Sequence, residues 1–297
     1  MLGGINNDSL YGEAGVDTLD GEAGNDGIFG GVASTESIRG GSGADRFLIF
    51  GNDAPADLGS GDTTIVFRNE GSSWTDREIE AADVGLRQLH HRTGATRIFV
   101  DPLDTGPMTL YKVRAGSLGS NIDGINELQW SASWEADGTI VSETYTRSIK
   151  IADWNENIQA ESEVASLTVI HEIGHSFDST FELAQVSSSS SIWNSFLAQS
   201  GWETANPGSG HTRAPLATQE VFERVYVAPN YELVTKNWWR NDNAEFARNY
   251  GTTNAKEDWA TTWEAIFVDA IVEERNSSHA VQVPGKVALV NRFLDVM

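Results

Sequence analysis

Apolar residues recur at helical spacing in the middle and at the end of the chain. Ile79, Ala82, Leu86 and Leu89 share one face of a segment that Thr75 can cap and Gly94 can end, which predicts a helix over Asp76–His91. Val164, Leu167, Ile170, Ile173 and Phe177 repeat the pattern and predict a core helix over Glu161–Asp178. Further helical stretches lie at Ile192–Gln199, Ala255–Val272 and Lys286–Val296. Strand-like runs occur at Thr64–Arg68, Arg97–Val100, Met108–Val113, Thr139–Tyr145 and Ser148–Ala152. Strands that mostly precede helices predict an α+β domain.

The first fifty residues follow a different period. Asp8, Asp17 and Asp26 are nine apart; Leu10, Leu19 and Ile28 follow them by two, and Gly12, Gly21 and Gly30 by four. With G-G-S-G-A-D at 40–45, this is the nonapeptide G-G-x-G-x-D-x-U-x, where U is the large apolar residue. Glycine permits the tight turns, each Asp offers oxygen to a cation between turns, and the apolar residue points into a narrow core. The other reading, a flexible Gly/Asp-rich linker, does not account for the register.

Residues 3–48 thus resemble the RTX calcium-binding repeats of exported bacterial proteins. The resemblance implies a small N-terminal parallel β-roll over residues 1–50, with Asp8, Asp17, Asp26 and Asp45 binding Ca²⁺. Asn6 replaces a glycine, and Ala33 and Thr35 replace the Gly and Asp of the fourth repeat, which also carries an inserted residue. A short, imperfect roll is expected. Because the chain opens inside a repeat, a fragment of a longer protein is also expected. The Gly/Asp/Ser-rich stretch 51–73 reads as a linker to a second domain over 74–297.

Charge narrows the function. Lys+Arg number 20 against 43 Asp+Glu, a net charge of −23, and no basic cluster exceeds His90-His91-Arg92. Nucleic acid and anionic membranes are disfavoured as partners, and divalent cations are favoured. No cysteine is present, so histidine and carboxylate must carry any metal. Neither a signal-peptide pattern nor an 18-residue apolar run is visible, so no membrane insertion is expected.

His171-Glu172-Ile173-Gly174-His175 is H-E-x-x-H. On a helix, residues four apart lie about 40° apart around the axis, so both imidazoles can reach one Zn²⁺. Glu172 stands where a general base belongs. Gly174 in mid-helix points to close packing. Asp178 is either a partner for a ligand imidazole or a solvated helix-end acid. Asp178 and Phe181 occupy the positions where a metzincin needs Gly and His or Asp, which excludes that class. His90 and His91, at a helix end, suit solvation or the helix dipole; His211 and His279 remain.

A carboxylate is the alternative third ligand. Glu257 falls in the first turn of a helix that Asn254 could cap, and capping alone could explain it. Asp258 points about 100° away, and Glu264 lies two turns deeper.

H-E-I-G-H-S-F-D together with Y-G-T-T-N-A-K-E-D-W-A at 250–260 resembles the zinc metalloprotease domain of anthrax lethal factor and related secreted bacterial peptidases. The resemblance implies a zincin-like fold, with His171, His175 and Glu257 binding zinc, Glu172 as base and Tyr250 stabilising the oxyanion. The long stretch between His175 and Glu257 implies an insertion over 180–245 with its own helices. Trp202, Trp238, Trp239, Trp259 and Trp263 suit either core or a substrate groove, and strand 142–152 is a candidate edge for an extended peptide.

These readings converge on a secreted zinc endopeptidase acting on peptide or protein substrates, exported by a type I route, with a Ca²⁺-binding module. The rival is a non-enzymatic calcium-binding adhesin or surface module. Oligomeric state is not readable from the sequence.

Overall fold

The computed structural model describes residues 1–13, 15–32, 36–50, 55–56, 58–93, 96–100, 107–119, 122–153, 158–178, 189–227, 230–272 and 279–297. The chain divides into two units. The first holds Met1–Ile125 and Ser148–Val169, with Met297; the second holds Asn126–Arg147 and Ile170–Val296.

In the first unit, six short strands, β1 (Leu2–Gly4), β2 (Ser9–Tyr11), β3 (Thr18–Glu22), β4 (Gly27–Phe29), β5 (Ser37–Arg39) and β6 (Arg46–Phe50), alternate between two parallel sheets. One sheet is ordered β1-β3-β5, and β2, β4 and β6 are consecutive in the other. One coil therefore consumes two nonapeptides. Leu10, Ile28 and Phe47 fall in register in one sheet, Leu19 and Ile38 in the other, and all five are buried in one cluster. Glu13 and Glu22 stand where the repeat calls for its second glycine and hold left-handed backbone, at φ +59° and +68°.

The second sheet continues as β7 (Thr63–Asn69) and β8 (Met108–Val113), each added in parallel. The strand read at Thr64–Arg68 is thus β7, a member of this sheet. Two further strands are β9 (Gly124–Trp134), which was not read from the sequence, and β10 (Ile140–Ala152), which unites the two runs at 139–145 and 148–152. Ile149–Ala152 of β10 pair in parallel with Leu110–Val113. In the strand order β10 lies between β8 and β9, and the pairing with β8 covers Ile149–Ala152, so this end of the strand is not the free edge expected of it. The run Arg97–Val100, read as a strand, overlaps a 3₁₀ turn over Thr96–Phe99, with Ile98 and Phe99 both buried. Adjacent buried apolar residues carry no period, so such a run does not by itself separate a strand from a helical turn.

Helix α1 (Asp76–Thr93) is two residues longer than its pattern predicts. Thr75 and Glu78 form a capping box: Glu78 N donates to Thr75 Oγ1 at 3.3 Å, and Thr75 N to Glu78 Oε2 at 3.0 Å. Ile79, Ala82, Leu86 and Leu89 are buried as their spacing predicts. Asp83 on the same helix is 1 % exposed and accepts from Arg46 Nε at 2.8 Å, Arg46 Nη2 at 3.0 Å and Tyr11 Oη at 2.8 Å. A paired guanidinium thus joins α1 to the roll.

Helix α2 (Ile158–Ser176) begins in the first unit and ends in the second. The second unit also contains α3 (Ser189–Ser200), β11 (His211–Arg213), β12 (Thr218–Val227), β13 (Asn230–Lys236), β14 (Trp239–Asn241), α4 (Ala255–Ile271) and α5 (Pro284–Leu294). The insertion expected to be helical contributes α3 and then two antiparallel pairs, β12–β13 and β11–β14; residues 179–188 lie outside the described set. Trp202, Trp238, Trp259 and Trp263 are all at most 4 % exposed. They are core rather than groove lining.

Removing Asp83 strands a buried guanidinium. Asp83→Ala should lower stability by about 3–5 kcal/mol, read by urea denaturation; a loss below 1 kcal/mol would show that Arg46 finds water or another partner.

Candidate metal centres

The H-E-x-x-H segment closes α2, and Asn254 starts α4 by accepting from Lys256 N at 2.9 Å and Glu257 N at 3.0 Å. Capping does not exclude a ligand role: the cap fixes the first turn from which Glu257 projects. Its Oε2 lies 3.1 Å from His171 Nε2 and 3.2 Å from His175 Nε2, and the two Nε2 atoms are 3.2 Å apart. Donors about 2.0–2.1 Å from a tetrahedral Zn²⁺ stand about 3.3–3.4 Å apart, so the triangle is close to the required size.

The outer contacts set the tautomer. His171 Nδ1 is 2.7 Å from Glu264 Oε1, a carboxylate 1 % exposed, so the neutral ring donates there and turns the Nε2 lone pair inward. Asp178 Oδ2 lies 3.7 Å from His175 Nδ1, and Lys256 Nζ lies 3.9 Å from Asp178 and 3.5 Å from buried Glu220. Asp178 is buried beside the His175 imidazole rather than solvated. Three electron-pair donors facing one another need a cation or a proton among them. Without metal the proton serves. Burial disfavours charge on both histidines, but Glu257 and Glu264 outweigh it at His171, raising its pKa well above the usual range, and Glu257 and Asp178 bring His175 to about 9. Partial burial pushes the Glu257 carboxyl up, yet the two histidines hold it well below the usual carboxylate range.

Among the three carboxylates weighed from the sequence, Glu257 alone joins the triangle among the described residues. Asp258, fully buried, accepts from Lys286 Nζ at 2.8 and 2.9 Å, Ser200 Oγ at 2.9 Å and Trp202 Nε1 at 2.9 Å. Glu264 backs His171.

Glu172 is 5 % exposed, and its Oε2 has no hydrogen-bond partner among the described residues. Burial raises its pKa, which strengthens it as a proton acceptor. Tyr250 sits on a 3₁₀ turn, Asn249–Thr252, with its ring 6.0 Å from that of His171. Tyr250 is 44 % exposed, but partial burial of its ring and then the Glu257 charge raise its pKa, so the hydroxyl stays protonated and can donate. His90 departs from expectation: it is 7 % exposed, and burial followed by the Arg46 charge lowers its pKa to about 4, so it is a neutral core residue.

The roll aspartates form columns. Asp8 N donates to Asp26 Oδ1 at 2.8 Å, Asp26 N to Asp45 Oδ1 at 2.8 Å, and Asp45 N to Asp62 Oδ1 at 2.9 Å. Asp17 stands apart from these and donates its N–H to Glu36. Glu36 and Asp62 were not read as site residues. The inserted residue in the fourth repeat moves Glu36 into the Asp position, two before Ile38, a signal that counting back from the apolar residue would have found. The second oxygens of Asp8 and Asp26 are buried without a hydrogen-bond partner among the described residues. A Cβ on Gly21 would lie 2.3 Å from Asp26 Oδ2 and 2.5 Å from Gly40 O; one on Gly40 would lie 2.1 Å from Asp45 Oδ2. Glycine thus leaves an oxygen-lined cradle that fits Ca²⁺. Burial, together with the neighbouring Asp8 charge, raises the Asp26 pKa, a cost that a cation relieves.

Residues 2–33 match the family model of the RTX calcium-binding nonapeptide repeat, in 4 copies. No curated protein and no solved structure matches the chain. The N-terminal module is therefore a calcium-binding RTX module, of a kind typical of type I secreted proteins. No helix among the described residues is long and apolar enough to cross a membrane.

Calcium chelation should expose the amides of β1, β3 and β5 to hydrogen exchange before those of β6 and β7, because Arg46–Asp83 and α1 hold the latter; uniform loss across these strands would contradict that order. In metal-free protein, the raised His175 pKa contributes stability that is complete below 6.5 and lost as pH rises through about 9. Thermal midpoints of metal-free protein should therefore fall across that window, and His175→Ala should reduce the fall, leaving the part that His171 contributes.

Proposed function

We propose that the protein is a secreted zinc endopeptidase of the lethal-factor-like kind, zincin-like in its catalytic part, with Ca²⁺ ordering its RTX module. The observation that carries the reading is the convergence of His171 Nε2, His175 Nε2 and Glu257 Oε2, all within 4.8 Å of one another. These three residues would hold the metal. Zinc bound there supplies a Lewis acid that acidifies water and polarises a carbonyl.

The protein's own groups do the rest. Glu172, buried and raised in pKa, takes the proton of the attacking water and returns it to the leaving amine. Tyr250 donates its hydroxyl to the oxygen on which negative charge develops. Export of an acidic, cysteine-free chain carrying RTX repeats fits a type I route, with external calcium folding the roll after translocation.

Metal-washed protein should retain one zinc per chain by elemental analysis; a zinc-free protein would favour the adhesin reading. Glu172→Gln should keep the zinc and lose peptide hydrolysis, whereas Glu257→Ala should lose the zinc. Tyr250→Phe should lower kcat by about 10²–10³ with zinc content and KM little changed. Loss of thermal stability at wild-type kcat would make Tyr250 structural.

A further inference from the structure

We propose that Arg248 is a positioning residue for the metal, acting through Glu264 on His171; this rests on the zinc reading above. Glu264 follows Glu257 by seven residues, two turns along α4, which returns it to nearly the same face. One oxygen, Oε1, lies 2.7 Å from His171 Nδ1, and the other, Oε2, accepts from Arg248 Nη1 at 2.6 Å. A carboxylate with one hydrogen bond can rotate about its last torsion. With both oxygens engaged, its plane is fixed, and so is the direction in which the imidazole presents Nε2.

Arg248 is itself held. It immediately precedes the turn Asn249–Thr252 that carries Tyr250, and Gly251 N donates back to Arg248 O at 3.1 Å. That turn is docked tightly on α4: a Cβ on Gly251 would meet Thr261 Oγ1 at 2.6 Å and Asp258 Cα at 3.3 Å. Arg248 is 38 % exposed at its side chain, whereas Glu264 is 2 % exposed. The arginine is therefore the outer end of a line running Arg248, Glu264, His171, metal, and it can be removed without opening the core.

Positioning and simple electrostatics predict opposite signs. A cation removed from the neighbourhood of Zn²⁺ relieves repulsion and should tighten zinc binding. A clamp removed from Glu264 lets His171 reorient and should loosen it. Zinc affinity is measured by competition with a chromophoric chelator on the full, calcium-loaded chain. Arg248→Ala should weaken zinc about 10–100-fold, Arg248→Lys should recover part of the loss, and Arg248→Ala placed on Glu264→Gln should add less than about threefold. The Co²⁺-substituted visible spectrum should shift in Arg248→Ala, reporting a moved ligand. Unchanged or tighter zinc binding in Arg248→Ala, or full additivity with Glu264→Gln, would overturn the proposal. Absence of zinc binding by the unsubstituted chain would instead overturn the zinc reading itself.

Discussion

The separation of α2 and α4 is the constraint on which the candidate metal centre depends, and Gly174 backs onto Trp263 between the two helices. An ideal Cβ at Gly174 would lie 3.1 Å from Trp263 Cγ, and Trp259 Nε1 donates to Gly174 O at 3.2 Å. Phe177 extends the contact by stacking on Trp263, with ring centroids 5.9 Å apart and planes 7° apart. Glycine in mid-helix costs about 1 kcal/mol relative to alanine, and the return is room for the Trp263 indole against the α2 backbone. Glu257 reaches across from one helix to two histidines on the other with separations of 3.1–3.2 Å, so a methyl group at 174 that pushed the indole aside would act directly on those separations.

The roll obeys a related rule with different chemistry. There the fixed length is the coil, and glycine again stands where a side chain would fill the space. The carboxylates stack at one-coil intervals, each holding the backbone of the coil before it with one oxygen and presenting the other inward. Such a column is self-repelling in a chain of net charge −23. Cation binding and folding are consequently one event in the roll, whereas in the helical site protons on His171 and His175 can substitute for metal and the fold can pre-exist.

What was legible in the sequence was whatever has a short period. The nonapeptide register named the inward residues Leu10, Leu19 and Ile28, and the four-residue step of His171 and His175 named two donors. Pairing was not legible. The nine-residue spacing of Asp8 and Asp17 conceals that alternate repeats belong to different columns, so Asp17 meets Glu36 rather than Asp8 or Asp26. The alternation of Leu128, Trp130, Ala132 and Trp134 in β9 was present, and Asp137-Gly138 marks the turn after it, but the alternating positions are small or polar on one side and carry no run of β-branched residues; β12 and β13 hide theirs among charges. His90 was misjudged because proximity to a helix end says nothing about what packs over it.

The three acids of α4 show where sequence reasoning reaches its limit. Glu257, Asp258 and Glu264 lie within eight residues and have the same chemistry. Helical geometry separates their directions, but each direction acquires meaning only from a partner far away in sequence: the histidines of α2 for Glu257, Lys286 of α5 for Asp258, and Arg248 beside the Tyr250 turn for Glu264. Asp258 shows why the partner decides. Burial pushes its pKa up, and the Lys286 ammonium with the Ser200 and Trp202 donors opposes that push, so its oxygens are fully engaged inside the core. An acid so satisfied has no lone pair directed at the metal triangle. Glu257 is pulled down by imidazoles whose own protons a metal would displace, and its free energy is thereby coupled to metal loading. One helical turn thus carries one acid committed to holding the fold and one turned toward two imidazoles where an ion could be held, and the first secures the helix from which the second projects.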